Sequence, residues 1–367
     1  MDKTDFTLLT QEGFHPLFAF KGIGYLFAQH FLYQYSQHDT LTIYDKGFFR
    51  SFIFREGMNR TLQEGLELFS DREKFDAYLK DFEVYLEKAR QTIDRFTDKE
   101  NITESDWIDL STTLKEIWVY HDKTEAIFTD LAFSQSKENT LLQNNLQRLG
   151  EIKFPSSEIL HKLGLDIFYR VLDMIATQFR VAPQDIKFFS EDEVKNLFSG
   201  KMPEQEIVER RQRAYILYGT GGKIEEPNFE ETKKVIEQFR PKNLDTRELH
   251  GTSASLGKVE GRARVILADY SDDFRAVENQ IAEMQEGEIL VTENTTVQFM
   301  VILRKAVAII TNQGGLNSHA AITSRELHIP CIVAVSDATE IIRTGDRISV
   351  SAEKNDGIIH ILSRNNS

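Results

Sequence analysis

Phenylalanine is distributed so unevenly along this chain that a single uniform fold is ruled out. Of 26 phenylalanines, only Phe274 and Phe299 lie beyond residue 239. Large aromatic side chains fill the interiors between long packed elements, so the stretches on either side of about residue 245 are expected to be built differently. A length of 367 residues suits two or three domains of about 150 residues each. The expectation is an α+β multidomain chain, with a mostly α-helical domain over 1–245 and an α/β domain over 246–367.

The first stretch carries the three-and-four spacing of one helix face: Phe75, Leu79, Phe82, Tyr85, Leu86, Ala89, Ile93 and Phe96. A second helix is predicted to open at Thr103-Glu104-Ser105-Asp106, a capping sequence, and to run past His121 toward Phe128. The short polar link between them predicts an antiparallel pair. A third helix is predicted to start after Pro155-Ser156-Ser157-Glu158 and to reach Ile175. Ser190-Glu191-Asp192-Glu193 reads as a capping box, residues 203–213 as another helix, and Ala214–Tyr218 as a strand turning at Gly219-Thr220-Gly221-Gly222.

Beyond His250 the texture changes to short β-branched runs, and strands are predicted over 258–267, 288–291, 306–311, 331–335, 347–350 and 358–362. The segment 240–250, with Pro241 and mixed charges, is the expected linker or hinge. A net charge of −14 and a pI near 5.2 lack the basic footprint of a nucleic-acid binder. One cysteine, Cys331, excludes an internal disulfide framework. No apolar run of about 18 residues suggests a membrane span, and MDKTDFTLLTQEGF lacks the basic and apolar parts of a signal peptide, so a cytoplasmic protein is expected. No histidine spacing fits a metal site, and His15, His30, His38, His121, His161, His250 and His360 are expected in structural or surface roles.

One segment concentrates chemistry. A buried strand ending at Thr311 is followed by Gly314-Gly315 and then by a helix whose expected N-cap is Ser318, which sets His319 in the first helical turn. Free backbone N–H groups and the helix dipole favour an anion there, and an imidazole so placed can accept a phosphoryl group whose oxygens the helix end and the Ser318 hydroxyl would hold. Gly314 and Gly315 would leave room for a bulky donor, and Ala320 and Ala321 would keep the helix surface low beside the ring. The same local spacing also describes a core histidine at an ordinary strand-to-helix turn.

The longer run Gly-Gly-Leu-Asn-Ser-His-Ala-Ala-Ile-Thr-Ser-Arg-Glu-Leu-His-Ile-Pro-Cys-Ile-Val resembles the phosphohistidine motif of the phosphoenolpyruvate-utilising enzymes. The resemblance covers residues 250–362, with Gly251–Ala263 similar to the opening of that family's mobile, swivelling domain and Gly287–Val291 to its next strand. It implies that His319 is the phosphorylated residue, that Thr311, Gly314, Gly315, Asn317 and Ser318 support the phosphate, and that Arg325 contacts phosphate or braces the domain, a surface ion pair being its plainer alternative. Three positions depart from the pattern. Asn317 stands where a regulated threonine occurs in plant-type dikinases, His328 replaces the glycine of a Gly-Ile-Pro, and Thr295-Thr296-Val297-Gln298 replaces a Thr-Asp-Pro-like turn.

Family members usually join this domain to an ATP-grasp domain, and several add a phosphoenolpyruvate-binding barrel; neither is expected in this chain. Gly251–Lys258 misses the P-loop spacing by one residue and leads into a strand. The short stretches Asp185–Val194 and Glu209-Arg210-Arg211 are similar to the end of the helical, acceptor-binding connector in the rifampicin phosphotransferase branch. The resemblance therefore implies a phosphotransferase subunit that carries a phosphoryl group on His319 from a separate ATP-grasp subunit, or a phosphoenolpyruvate-type donor, to a small-molecule acceptor. No cofactor would be bound by this chain, and Mg-ATP would sit on the partner. The alternative is a non-catalytic docking or regulatory module descended from such an enzyme, with residues 1–245 docking a partner.

Overall fold

The computed structural model describes residues 14–21, 24–33, 35, 37–45, 47–239, 244–267, 281–295, 299–316, 318–354 and 356–365. The chain divides into two compact units, one drawn mainly from Gly24–Gly47 and Ser51–Val235, the other mainly from Ile236–Ser367.

The first unit is mostly helical. The Arg72–Thr97 helix buries Phe75, Tyr78, Phe82, Leu86, Ala89, Ile93 and Phe96, close to the face expected, with Tyr78 taking the inward place assigned to Leu79. It pairs with the Glu104–Asp122 helix, whose capping box joins Thr103 and Asp106. That helix stops at Asp122, and Phe128 belongs to the next one, Ala126–Gln135, so the single long helix expected here is two. Pro155 opens nothing. It lies inside the Thr140–His161 helix, which is capped by Asn139 through bonds from Leu141 N at 3.0 Å and Leu142 N at 3.2 Å. The Ser156 and Ser157 hydroxyls donate to Lys153 O beside the proline. The helical path continues through a π-helical stretch, Lys162–Ile167, into Phe168–Phe179. The expected capping box of Ser190 and Glu193 opens Glu191–Leu197.

A five-stranded sheet also stands in this part of the chain, where only its fourth strand was expected. It is built of β1 (Phe14–Lys21), β2 (Thr40–Asp45), β3 (Phe48–Phe54), β4 (Ala214–Thr220) and β5 (Lys223–Glu225), in the order β1-β3-β2-β4-β5. Most of the large aromatic rings fill the helical core: Trp107, Phe69, Phe75, Phe82, Phe96 and Phe168 are fully buried.

The second unit is a closed barrel. Its strands are β6 (Glu248–Ser255), β7 (Gly257–Val265), β8 (Ile289–Thr292), β9 (Ala308–Thr311), β10 (Cys331–Val333), β11 (Arg347–Glu353) and β12 (Asp356–Ser363), ordered β10-β6-β12-β11-β7-β8-β9. The β7-β8, β8-β9 and β9-β10 pairs are parallel, the other four antiparallel. Burial follows from this pairing. Every residue of β8 and β9 is buried, because Ile289, Val291, Ala308 and Ile310 fill the barrel while Leu290 and Ile309 pack outward with Phe299, Ile302 and Leu303. β11 and β12 alternate instead, with Ile348, Val350, Ile359 and Ile361 inside, and the outward positions are polar except for Ile358 and Leu362. Cys331 is buried in β10, as expected of a core residue, and burial pushes its thiol up to about 11.

β6 was not expected, and it begins inside the 240–250 segment, so the end of that proposed linker already belongs to the barrel; residues 240–243 lie outside the described residues.

Candidate functional site

The carboxyl ends of the parallel strands β8 and β9 lead into two loops, and these loops meet at one imidazole. β9 ends at Thr311, and the chain turns through Gly314 and Gly315 into the His319–Leu327 helix. Ser318 is the N-cap: its backbone is extended and its Oγ accepts from Ala321 N at 3.4 Å, so His319 is the first helical residue. Gly314 has φ +109°, and a Cβ there would lie 2.9 Å from Ser318 Oγ, so both conformation and space demand glycine. A Cβ at Gly315 would meet nothing within 4 Å, so that side of the turn is open.

His319 is half-buried. Its Nδ1 lies 2.9 Å from Thr295 Oγ1, on the loop that leaves β8. Burial holds the imidazole below its usual pKa, with Glu326 pulling weakly the other way, so the ring is neutral near pH 7. In the tautomer that donates Nδ1–H to Thr295, the Nε2 lone pair is left unprotonated and nucleophilic. Thr295 belongs to the loop whose departure from the family pattern was noted, yet it is the partner sequence reasoning did not identify. No local signal ties it to a histidine 24 residues away.

The other expected site residues divide. Thr311 is buried; its hydroxyl donates to Gln313 O at 2.6 Å and so shapes the turn instead of facing a phosphate. Ser318 is at the helix end beside His319, as expected. Arg325 Nη2 donates to Leu316 O at 2.6 Å, which makes it a brace for the loop before the helix. Asn317 lies outside the described residues. Ala320 and Ala321 do not line a surface beside the ring. Both are buried against the outer barrel core with Cys331 and Val333. His328, in place of the family glycine, adopts the left-handed conformation itself, with φ 56° and ψ 37°, and ends the helix.

His30, His121, His250 and His360 hold structural or surface places. His30 is buried between Leu26 O and Ser111 Oγ, each 2.9 Å away; His121 pairs with Glu125 at 3.0 Å; His250 and His360 are exposed beside Glu248. Among the described residues no cluster of His, Cys, Asp or Glu is placed to hold a metal, and no helix is long and apolar enough to cross a membrane. The helical unit shows a cleft lined by residues that include Glu100, Asn101, Arg170, Asp173, Met174 and Thr177.

Fold and site together define a class: a mixed parallel and antiparallel barrel that presents a neutral histidine at a helix N-terminus. Residues 284–355 match the family described as PEP-utilising enzyme, mobile domain. The chain is similar to a probable phosphoenolpyruvate synthase of Staphylothermus marinus, 40% identical over 112 residues, which cover 30% of this chain and 12% of that protein. It is similar to the phosphoenolpyruvate synthase of Aquifex aeolicus at 33% over 183 residues, 49% of this chain and 18% of the relative. Rifampicin phosphotransferase of Bacillus cereus is 29% identical over 181 residues, 49% of this chain and 19% of that protein. The chain thus spans less than a quarter of the length of these relatives.

Proposed function

We propose that His319 carries a phosphoryl group from a nucleotide-binding donor to an acceptor, as a dikinase-type phosphotransferase that works with a separate ATP-grasp protein. The observation that carries this reading is the contact of Thr295 Oγ1 with His319 Nδ1 at the start of a helix, which in the Nδ1–H tautomer leaves Nε2 unprotonated. The family match and the similarity to phosphoenolpyruvate synthases and a rifampicin phosphotransferase support it.

In the donor step, Nε2 attacks the β-phosphorus of Mg-ATP on the partner, the bond to the bridging oxygen of AMP breaks, and AMP leaves. Water then removes the γ-phosphoryl group as phosphate, and His319 is left singly phosphorylated. The Nδ1 proton stays against Thr295, and the helix N-terminus faces the new negative charge. In the second step a nucleophilic oxygen of the acceptor attacks phosphorus and the Nε2 lone pair is restored. Phosphoimidazole is an energetic donor, so this step needs chiefly alignment. The helical unit is proposed to hold the small-molecule acceptor, with the segment ahead of β6 as the hinge.

The test uses ATP radiolabelled either in its β- or in its γ-phosphoryl group, with magnesium, in the presence and absence of an ATP-grasp domain taken from a phosphoenolpyruvate synthase. Once the γ-phosphoryl group has been released as phosphate, label is expected to stay on this chain only from the β position and only with the added domain. Label retained from the γ position after that release, or labelling of the His319→Ala variant, contradicts the reading.

A further inference from the structure

Both arms of the Thr295–His319 contact are tied to a single buried acid. Glu293 is only 4% exposed and lies just past β8, two residues before Thr295. Its Oε1 accepts from Asn312 Nδ2 at 2.7 Å and from Thr339 Oγ1 at 2.5 Å, while its main-chain O accepts from Gln313 N at 2.9 Å. Asn312 is locked in turn: its Nδ2 also donates to Thr339 Oγ1 at 2.8 Å, and its Oδ1 accepts from Thr339 N at 3.1 Å. The amide orientation is fixed because the Thr339 N–H can meet only an acceptor. Asn312 N also donates to Thr292 O at 3.0 Å. One side chain thus anchors the loop that supplies Thr295 and the loop that supplies His319.

A buried carboxyl is costly in a barrel end unless its hydrogen bonds are made, and here Oε1 accepts two. Burial pushes the Glu293 carboxyl above its usual range, with the Thr339 hydroxyl and the Asn312 amide opposing that rise.

We infer that Glu293, with Asn312 and Thr339, is a positioning residue that holds Thr295 against His319 Nδ1 and so selects Nε2 as the reacting nitrogen. The inference rests on the reading of His319 as a phosphoryl acceptor. It deepens that reading, because it assigns the choice of nitrogen to a network that touches neither phosphate nor imidazole. Loosening the network frees Nδ1 from Thr295, and both ring nitrogens then compete for phosphorus.

The test treats the full chain with phosphoramidate, a small phosphoryl donor that needs no partner, and determines which ring nitrogen of His319 is modified. The wild type is expected to give the Nε2 adduct. Glu293→Leu, which keeps bulk and removes the acceptor, is expected to give a mixture of Nδ1 and Nε2 adducts and to slow Nε2 modification about tenfold, the value of one lost hydrogen bond. Glu293→Gln, which keeps an acceptor oxygen, is expected to restore the Nε2 adduct. Thr339→Val should behave like Glu293→Leu and carries the test if the leucine variant does not fold. Nitrogen NMR of the His319 ring should show a fixed tautomer in the wild type and averaging in both broken variants. An unmodified His319 in the wild type overturns the function and this inference together. Wild-type Nε2 modification with unchanged nitrogen choice and rate in Glu293→Leu and Thr339→Val overturns this inference alone.

Discussion

Thr295 Oγ1 lies 2.9 Å from His319 Nδ1 and joins the loop after β8 to the helix after β9. The two residues approach only because β8 and β9 are adjacent and parallel, so that their carboxyl ends lie side by side. Replacing the hydroxyl by a methyl group in Thr295→Val removes the partner of Nδ1 without changing bulk. The expected outcome is an Nε2 phosphorylation rate lower by about tenfold, the worth of one hydrogen bond, with the thermal midpoint nearly unchanged. Rate measurement with phosphoramidate beside a melting curve checks both halves; a rate equal to wild type refutes the role of Thr295.

The pH dependence follows from the depressed basicity of His319. Burial lowers the imidazole below 6.5, so the folded ring stays neutral at pH values where a free histidine is already protonated. Phosphoryl acceptance should therefore hold from neutral pH down past 6.5 and fall only below it. The stability consequence has the same sign: below 6.5 the unfolded chain binds the proton first, so the contribution of His319 is intact above 6.5 and declines as pH falls toward the folded value. Rate against pH, with nitrogen NMR of the ring, measures the midpoint. A midpoint at or above 6.5 contradicts the account.

His328 closes the His319–Leu327 helix in a conformation that glycine adopts freely and a side chain resists. His328→Gly should stabilise the barrel by about 1 kcal/mol and raise its thermal midpoint by roughly 2–4 °C. The imidazole contact of Nδ1 with Glu326 O at 3.0 Å is lost in the exchange and offsets part of the gain. Differential scanning calorimetry of both proteins decides the sign.

The helical unit has its own sensitive point at Gly65. A Cβ there would lie 1.8 Å from Phe128 O, so the Arg55–Ser70 and Ala126–Gln135 helices touch backbone to backbone. Gly65→Ala must push them apart and is expected to cost about 1–3 kcal/mol. Phosphoramidate modification of His319 should be unaffected. A melting curve matching wild type would show that the helices separate without strain.

What was legible in the sequence was what short-range chemistry writes. Side-chain caps are local, and so Thr103 with Asp106, Ser190 with Glu193, and Ser318 ahead of His319 all stand where the sequence put them. The Gly221-Gly222 turn likewise marked the end of β4, where both glycines take positive φ, although β5 beyond it was not expected. Pro155 misled because a proline favours a helix start, whereas here it lies inside Thr140–His161, with the Ser156 and Ser157 hydroxyls bonded to Lys153 O beside it. β6, with His250, Gly251 and Ser253 along it, has no β-branched run; it is a strand because β10 and β12 flank it. Thr295 and Glu293 were invisible for the same reason, since their roles exist only across parallel strands.

The central claim is that His319 accepts a phosphoryl group through Nε2. The most direct measurement is peptide-resolved mass spectrometry of the full chain after phosphoramidate treatment, with the exposed His250 and His360 as internal references. The account predicts one dominant acid-labile, base-stable phosphoryl group on His319, formed faster than on either reference and absent from a folded His319→Ala variant. Modification of His250 and His360 with His319 left bare, or an adduct that survives acid, would contradict it.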